Sequence, residues 1–158
     1  MSELRFGLGF DTHPPDPSRP LRLGGVVFDG EPGLAGHSDA DVACHALADA
    51  LLGAAGLGDL GERFPEQDPD LSGVAGTELL ARTVALLAEA GSRPVSCDLV
   101  IVAARPPIAP RRPEMQAVLA EVLGVDRDRV SVKATRPEGL GLRGDGAGCL
   151  ALAVIETG

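Results

Sequence analysis

The sequence predicts a single α+β domain, and three observations carry that reading. The chain has 158 residues, a length that suits one compact core. Segments that read as strands are interspersed with three segments of helical periodicity. No internal repeat or low-complexity linker divides residues 1–158.

Leu4 to Phe10 alternate loosely and predict a strand, ended by Asp11-Thr12-His13 and Pro14-Pro15. Residues 14–20 read as loop. Leu21 to Leu23 and Val26 to Phe28 predict short strands around a turn or bulge at Gly24-Gly25. Residues 30–36 read as loop again. Ser38 is the expected N-cap of the first helix, with Asp41 in a capping-box-like position three residues on. Val42, Ala46, Leu47, Ala50 and Leu51 then recur at helical spacing until Gly53 and Gly56. Residues 56–73 form a long acidic loop of the kind that more often serves function than idles. A second helix is expected over 77–90, a strand over 94–103, and a third helix from Pro113 to about Leu123. Strands over 129–135 and 149–155 close the chain, separated by the glycine-rich residues 139–148.

Composition excludes several function classes. The formal charge of −9 is the opposite of what a nucleic-acid binder shows. Stacking platforms for bases are scarce, with no Trp, no Tyr and four Phe. No apolar run reaches the roughly 18 residues of a membrane span, and MSELRFGLGFDTH lacks a signal-peptide pattern. A soluble, cytoplasmic protein with neither a nucleic-acid nor a membrane partner is the expectation. Cys44, Cys97 and Cys149 are odd in number and widely spaced, which predicts buried thiols rather than disulfides.

The chemistry-bearing residues are few. Asp11 and His13 stand at i and i+2, so in extended chain both side chains point the same way. His45, on the first helix, can add a third ligand from across the fold. One carboxylate, two imidazoles and an open fourth position make the expected set for catalytic zinc. Asp41, His45 and Asp49 share one helix stripe, so either carboxylate is placed to orient the imidazole. An isolated Asp-Thr-His is ordinarily a solvent-facing strand end. The third histidine, His37, opens the same helix as His45, and that clustering shifts the balance towards a site. Ser38 is ordinarily a simple cap, yet a cap hydroxyl beside exposed N–H groups also suits a phosphate. Arg105, Arg111 and Arg112 form a small basic cluster, either a solvated face or an anion-binding rim.

These residues lie in motifs that resemble one family along nearly the whole chain. GLGFDTH (7–13), LGGV (23–26) and AGHSDADVACHALADALLGAAGLGDLG (35–61) are its carriers. FPEQDP (64–69), VKAT (132–135) and Glu138 continue it. The resemblance is to the 2-C-methyl-D-erythritol 2,4-cyclodiphosphate synthases of non-mevalonate isoprenoid biosynthesis. It implies a homotrimer of subunits, each a mainly four-stranded sheet backed by helices on one face, with active sites at the subunit boundaries. The implied reaction is an intramolecular phosphoryl transfer on 4-diphosphocytidyl-2-C-methyl-D-erythritol 2-phosphate, a cytidine-diphosphate-linked small molecule, which releases CMP.

Carried over by position, the resemblance implies that Asp11, His13 and His45 bind Zn2+, and that His37 and Ser38 hold phosphate oxygens, His37 as a catalytic residue. Asp59 and Gly61 would contact the methylerythritol part, under a loop from Phe64 to Asp68. Thr135 would position the diphosphate, and Glu138 would serve a second ion, Mg2+ or Mn2+. The backbone from Ala103 through Arg105 and Pro106 to Ala109 would line the cytosine pocket. Several residues depart from the family pattern. Arg136 stands at the position of a catalytic threonine, followed by Pro137; Pro107 replaces a lysine, Asp145 an arginine and Leu142 an aromatic residue. Arg136 is still able to serve a phosphate as a fixed charge. Three functions therefore stand against one another: an active cyclase, a weakened homologue that binds metal and nucleotide, and a metal-dependent hydrolase using the same triad.

Overall fold

The computed structural model describes residues 1–139 and 146–158. Among these residues six strands and four helices run in the order β1 (Glu3–His13), β2 (Pro15–Leu23), β3 (Val26–Leu34), α1 (Val42–Ala55), α2 (Leu60–Arg63), α3 (Gly76–Glu89), β4 (Ser92–Ala103), α4 (Arg112–Leu123), β5 (Val130–Thr135) and β6 (Ala147–Thr157). Four of the strands make one sheet in the order β1-β6-β4-β5, and β2 pairs with β3 in a separate ribbon. β4 and β5 are parallel, linked by α4, while β6 runs antiparallel to both of its neighbours.

The helices cover one face of the four-stranded sheet, with α1 against β1 and β6, α3 against β4 and α4 against β5. The opposite face carries Leu4, Phe6, Leu8 and Phe10 from β1 and Leu150 and Leu152 from β6, all exposed. Two-residue alternation explains the split, since the intervening Gly7 and Gly9 point to the helices. That approach is unusually close. A Cβ on Gly7 would lie 1.8 Å from the Ala50 carbonyl oxygen, and one on Gly9 would lie 1.9 Å from that of Ala46. α1 therefore rests directly on the β1 backbone, which explains why eleven of its fourteen residues are buried. Among the described residues no helix is long and apolar enough to cross a membrane.

The ribbon corrects two sequence expectations. Residues 14–20 and 30–36 read as loops, yet β2 starts at Pro15 and β3 continues to Leu34. The pairing tolerates prolines that lack an N–H because its register shifts on either side of Pro20. The turn at Gly24-Gly25 is as expected, with φ of 58° and 77° suiting a tight hairpin. The long acidic segment also holds more structure than expected: α2 and a 3₁₀ turn at Pro69–Leu71.

The start of α1 is a third correction. Its N-cap is Asp41 rather than Ser38. The Asp41 carboxylate is fully buried and accepts four backbone N–H groups, from Ala43 and Cys44 at 3.1 Å and from Gly24 and Gly25 at 2.8 and 2.7 Å. A carboxylate offers the several acceptor positions this requires, where a hydroxyl offers fewer. The same group thus caps the helix and pins the β2–β3 turn to it. The three cysteines are buried free thiols, and burial pushes the Cys97 thiol up to about 12.

Candidate active site

The β1 residues that follow Gly7 and Gly9 on the helix-facing side are Asp11 and His13. His45 precedes Ala46 on α1, so the close packing of Gly9 on Ala46 delivers its ring to the end of β1. The three side chains converge. His13 Nε2 lies 2.8 Å and His45 Nδ1 3.1 Å from Asp11 Oδ2, and the two nitrogens are 3.2 Å apart. Bonds of about 2.0–2.2 Å to a tetrahedral zinc would set such ligand atoms roughly 3.3 Å apart. The triangle is therefore close to the size a divalent ion requires.

The hydrogen bonds behind the triangle supply a second test of fit. His13 Nδ1–H donates to the Ala35 carbonyl at 2.7 Å, which in the neutral ring leaves the lone pair on Nε2, facing Asp11. A lone pair set against a carboxylate oxygen requires a cation between them, either a metal ion or a second proton. His45 Nε2 lies 2.9 Å from Ser38 Oγ, so its Nδ1 is free to be the lone-pair atom when Nε2–H donates to the hydroxyl. Donor set, spacing and tautomers all fit a divalent metal.

Burial opposes ionisation of Asp11, but hydrogen bonds and charge from His13 and His45 outweigh it and hold the carboxyl well below its usual range. Burial likewise opposes protonation of His13, yet the Asp11 hydrogen bond and charge, with the Ala35 carbonyl, raise it above 6.5. In the metal-free protein the Asp11 contribution to stability is present above pH 3.8 and lost as pH falls towards its depressed folded value. The His13 contribution is full below pH 6.5 and lost as pH rises through its raised folded value. A metal ion takes the place of that second proton, so the sign for binding is opposite. The rise in melting temperature on adding Zn2+ is expected to grow between about pH 6 and pH 8, and a shift independent of pH would exclude histidine ligation.

The triangle lies in an open cleft of about 390 Å³ whose walls also include His37, Ser38, Asp49, Asp59, Gly61, Phe64 and Glu66. The loop from β3 to α1 supplies His37 and Ser38, and the Arg19 guanidinium anchors it by donating to the Gly36 carbonyl at 2.6 Å and to that of Ser38. A Cβ on Gly36 would come within 3.0 Å of the Ala40 Cβ and 3.1 Å of the His13 ring, so a larger residue there would press on the ligand. Asp59 caps α2 by accepting from Glu62 N–H, and so lines the cleft from a fixed position.

The sequence expectation for the helix stripe needs correction. Neither Asp41 nor Asp49 orients His45: Asp41 is the helix cap, and Asp49 accepts the Leu60 N–H at 2.9 Å. The imidazole is oriented by Ser38 and Asp11 instead. Asp68 lies outside the cleft lining, where its carboxylate accepts the Asp70 N–H. Arg19 is not among the site residues that the sequence suggests, while Asp49 enters only as a partner of His45 and Glu66 only as part of the 64–68 loop. Asp49 carried a signal in its shared stripe with His45, whereas Arg19 becomes visible only through the folded loop.

A second cleft, of about 340 Å³, opens where β4 and β5 end side by side. It gathers Ala103, Pro106, Ala109, Thr135 and Arg136 from the expected set, with Ala104, Pro107, Ile108, Arg112 and Ala134. Arg105 stands outside that lining, paired with Glu31 at 2.9 Å. Glu138, exposed and with φ of 49°, lines neither cleft. Leu142 and Asp145 lie outside the described residues.

The family model described as the YgbB family matches residues 4–157. The chain belongs to the YgbB family. Among its relatives in that family, 2-C-methyl-D-erythritol 2,4-cyclodiphosphate synthase of Symbiobacterium thermophilum is 55% identical over 151 residues, covering 96% of both chains. A bifunctional enzyme IspD/IspF of Anaeromyxobacter sp. is 54% identical over 151 residues, but the YgbB-family chain spans only 39% of that protein. A solved 2C-methyl-D-erythritol-2,4-cyclodiphosphate synthase in its CDP-bound form superposes with a TM-score of 0.88 at 33% identity, covering 96% of this chain and 99% of that one. The family expected from the dispersed motifs is the family found.

Proposed function

We propose that the chain is a metal-dependent 2-C-methyl-D-erythritol 2,4-cyclodiphosphate synthase. The observation that carries this reading is the convergence of Asp11, His13 and His45 in a cleft shared with His37, Ser38, Asp59, Gly61 and Phe64. The relationship to cyclodiphosphate synthases over 96% of the chain supplies the substrate, 4-diphosphocytidyl-2-C-methyl-D-erythritol 2-phosphate.

In this reading the substrate folds back on itself, and an oxygen of its 2-phosphate forms a bond to the β-phosphorus. The bond from that phosphorus to the α–β bridging oxygen breaks, and CMP leaves with the bridging oxygen. Little covalent work falls to the protein; its task is positioning and charge neutralisation. Asp11, His13 and His45 hold the ion, proposed as Zn2+, which when bound neutralises phosphate charge. His37 and Ser38 donate to phosphate oxygens, and Asp59 and Gly61 hold the methylerythritol part beneath the loop around Phe64. Thr135 positions the diphosphate, and Glu138 offers a carboxylate to a second ion, Mg2+ or Mn2+. The second cleft takes the cytidine end, with the backbone of Ala103–Ala109 reading the base; a solved relative in CDP-bound form supports a cytidine-diphosphate ligand.

The substrate needs both clefts, yet they share no lining residue. A homotrimer reconciles this by setting the metal cleft of one subunit beside the nucleotide cleft of the next. It also gives a partner to the exposed apolar face of Leu4, Phe6, Leu8, Phe10, Leu150 and Leu152. A cytoplasmic location accords with such a biosynthetic role.

Incubation of the purified protein with the diphosphocytidyl substrate, Zn2+ and Mg2+ tests the proposal. One CMP and one cyclic diphosphate per substrate are expected, from a particle three times the 16.1-kDa chain mass. Linear hydrolysis products would favour a hydrolase, and nucleotide binding without turnover would favour a weakened homologue.

A further inference from the structure

The second cleft carries a charge pattern that differs from the rest of this acidic protein. Among the described residues Arg112 and Arg136 are the charged residues of its lining, in a chain of net charge −9. The neighbouring basic side chains are already neutralised: Arg105 by Glu31 at 2.9 Å and Arg111 by Glu114 at 2.7 Å. Among the described residues neither Arg112 nor Arg136 has a carboxylate within salt-bridge distance. Arg112 Nε is buried and has no hydrogen-bond partner there, a costly arrangement for a charged donor unless something arrives to accept from it.

The fold explains how the two residues meet at one cleft. β4 and β5 are parallel neighbours, with Val102 opposite Thr135, so residues 103–112 and 134–136 diverge from adjacent strand ends. A crevice at the carboxyl ends of parallel strands is a common place for ligands in α/β sheets. Arg112 is the first residue of α4 on one wall, and Arg136 follows β5 on the other.

We propose that Arg112 and Arg136 form a cationic clamp for the phosphates of the nucleotide bound in this cleft. The inference rests on the cyclase reading and adds to it the groups that recognise the anionic part of the ligand. Two guanidinium groups hold phosphate oxygens through fixed, planar sets of donors. The neutral walls, built from Ala, Pro and Ile, are left to the base and ribose.

Calorimetric titration of the full-length protein with CDP and with cytidine separates phosphate recognition from base recognition. Wild type is expected to bind CDP at least about tenfold more tightly than cytidine. Arg112→Gln and Arg136→Gln should each weaken CDP by about tenfold while leaving cytidine within about twofold. Arg112→Lys, which keeps the charge but not the fork, should fall between wild type and Arg112→Gln. CDP affinity should also fall more steeply with salt in wild type than in the double glutamine variant, a comparison that holds even if one single variant folds poorly. A ratio of CDP to cytidine affinity unchanged in both glutamine variants would overturn the clamp while leaving the cyclase reading intact. Wild type that binds neither ligand would overturn both.

Discussion

His45→Ala is expected to strip the metal from the protein and reduce turnover by on the order of 10²–10³-fold or more. Its Nδ1 is one corner of a triangle whose other two corners, Asp11 Oδ2 and His13 Nε2, lie within 3.2 Å. Two ligands remain in the variant, too few to hold an ion in a site that must also leave a position for substrate. The loss extends beyond the ion. His45 Nε2 is the side-chain partner of Ser38, so the loop from β3 to α1 also loses an anchor. Metal content by elemental analysis, alongside turnover with excess Zn2+, is the decisive pair of measurements. Retention of one equivalent of metal would show that the ligands lie elsewhere.

The second large effect concerns a residue with no side chain. Gly9→Ala is expected to cost about 3 kcal/mol or more, at or beyond the upper end of ordinary overpacking. The new Cβ would stand 1.9 Å from the Ala46 carbonyl oxygen and 2.7 Å from the Ala50 amide nitrogen, both backbone atoms of α1. Neither can rotate away, so the helix must lift from β1 and carry His45 with it. A fall in melting temperature of roughly 6–12 °C is expected for a chain of this size, together with weakened metal binding. Gly53→Ala provides the contrast, because nothing lies within 4 Å of a Cβ there. On the exposed side of the same helix that change should stabilise by up to about 1 kcal/mol. Equal responses at the two positions would disprove the close-packing account.

The elements differ in how far their sequences announced them. α3 and α4 were legible because their apolar residues recur at helical spacing, and β4 and β6 because alternation places Leu99, Ile101, Ala151 and Ala153 on one buried face. Leu21–Leu23 reads as strand, but the first part of β2 reads as loop because Pro15, Pro17 and Pro20 are loop signals, and only pairing with β3 keeps it extended. Local spacing alone also allows Ser38 as the cap of α1. The choice of Asp41 depends on Gly24 and Gly25, whose N–H groups share the same carboxylate from a distant turn.

For the site, the sequence by itself determined which residue types were present and that Asp11 and His13 point the same way. Alternation along an extended strand is a local property, set by covalent geometry and therefore readable from two letters. Matching motifs along the chain identified the family, but not how the residues meet. Tertiary structure decided that His45, 34 residues from Asp11, completes the triangle, and that Asp41 and Asp49 serve backbone N–H groups instead of the imidazole. It also gathered Arg112 and Arg136 into one cleft from segments that have no local relation. The physical reason is the approach of α1 to β1, which Gly7 and Gly9 permit, and the parallel pairing of β4 with β5. Such contacts depend on packing between distant segments, so nearest-neighbour patterns do not carry them.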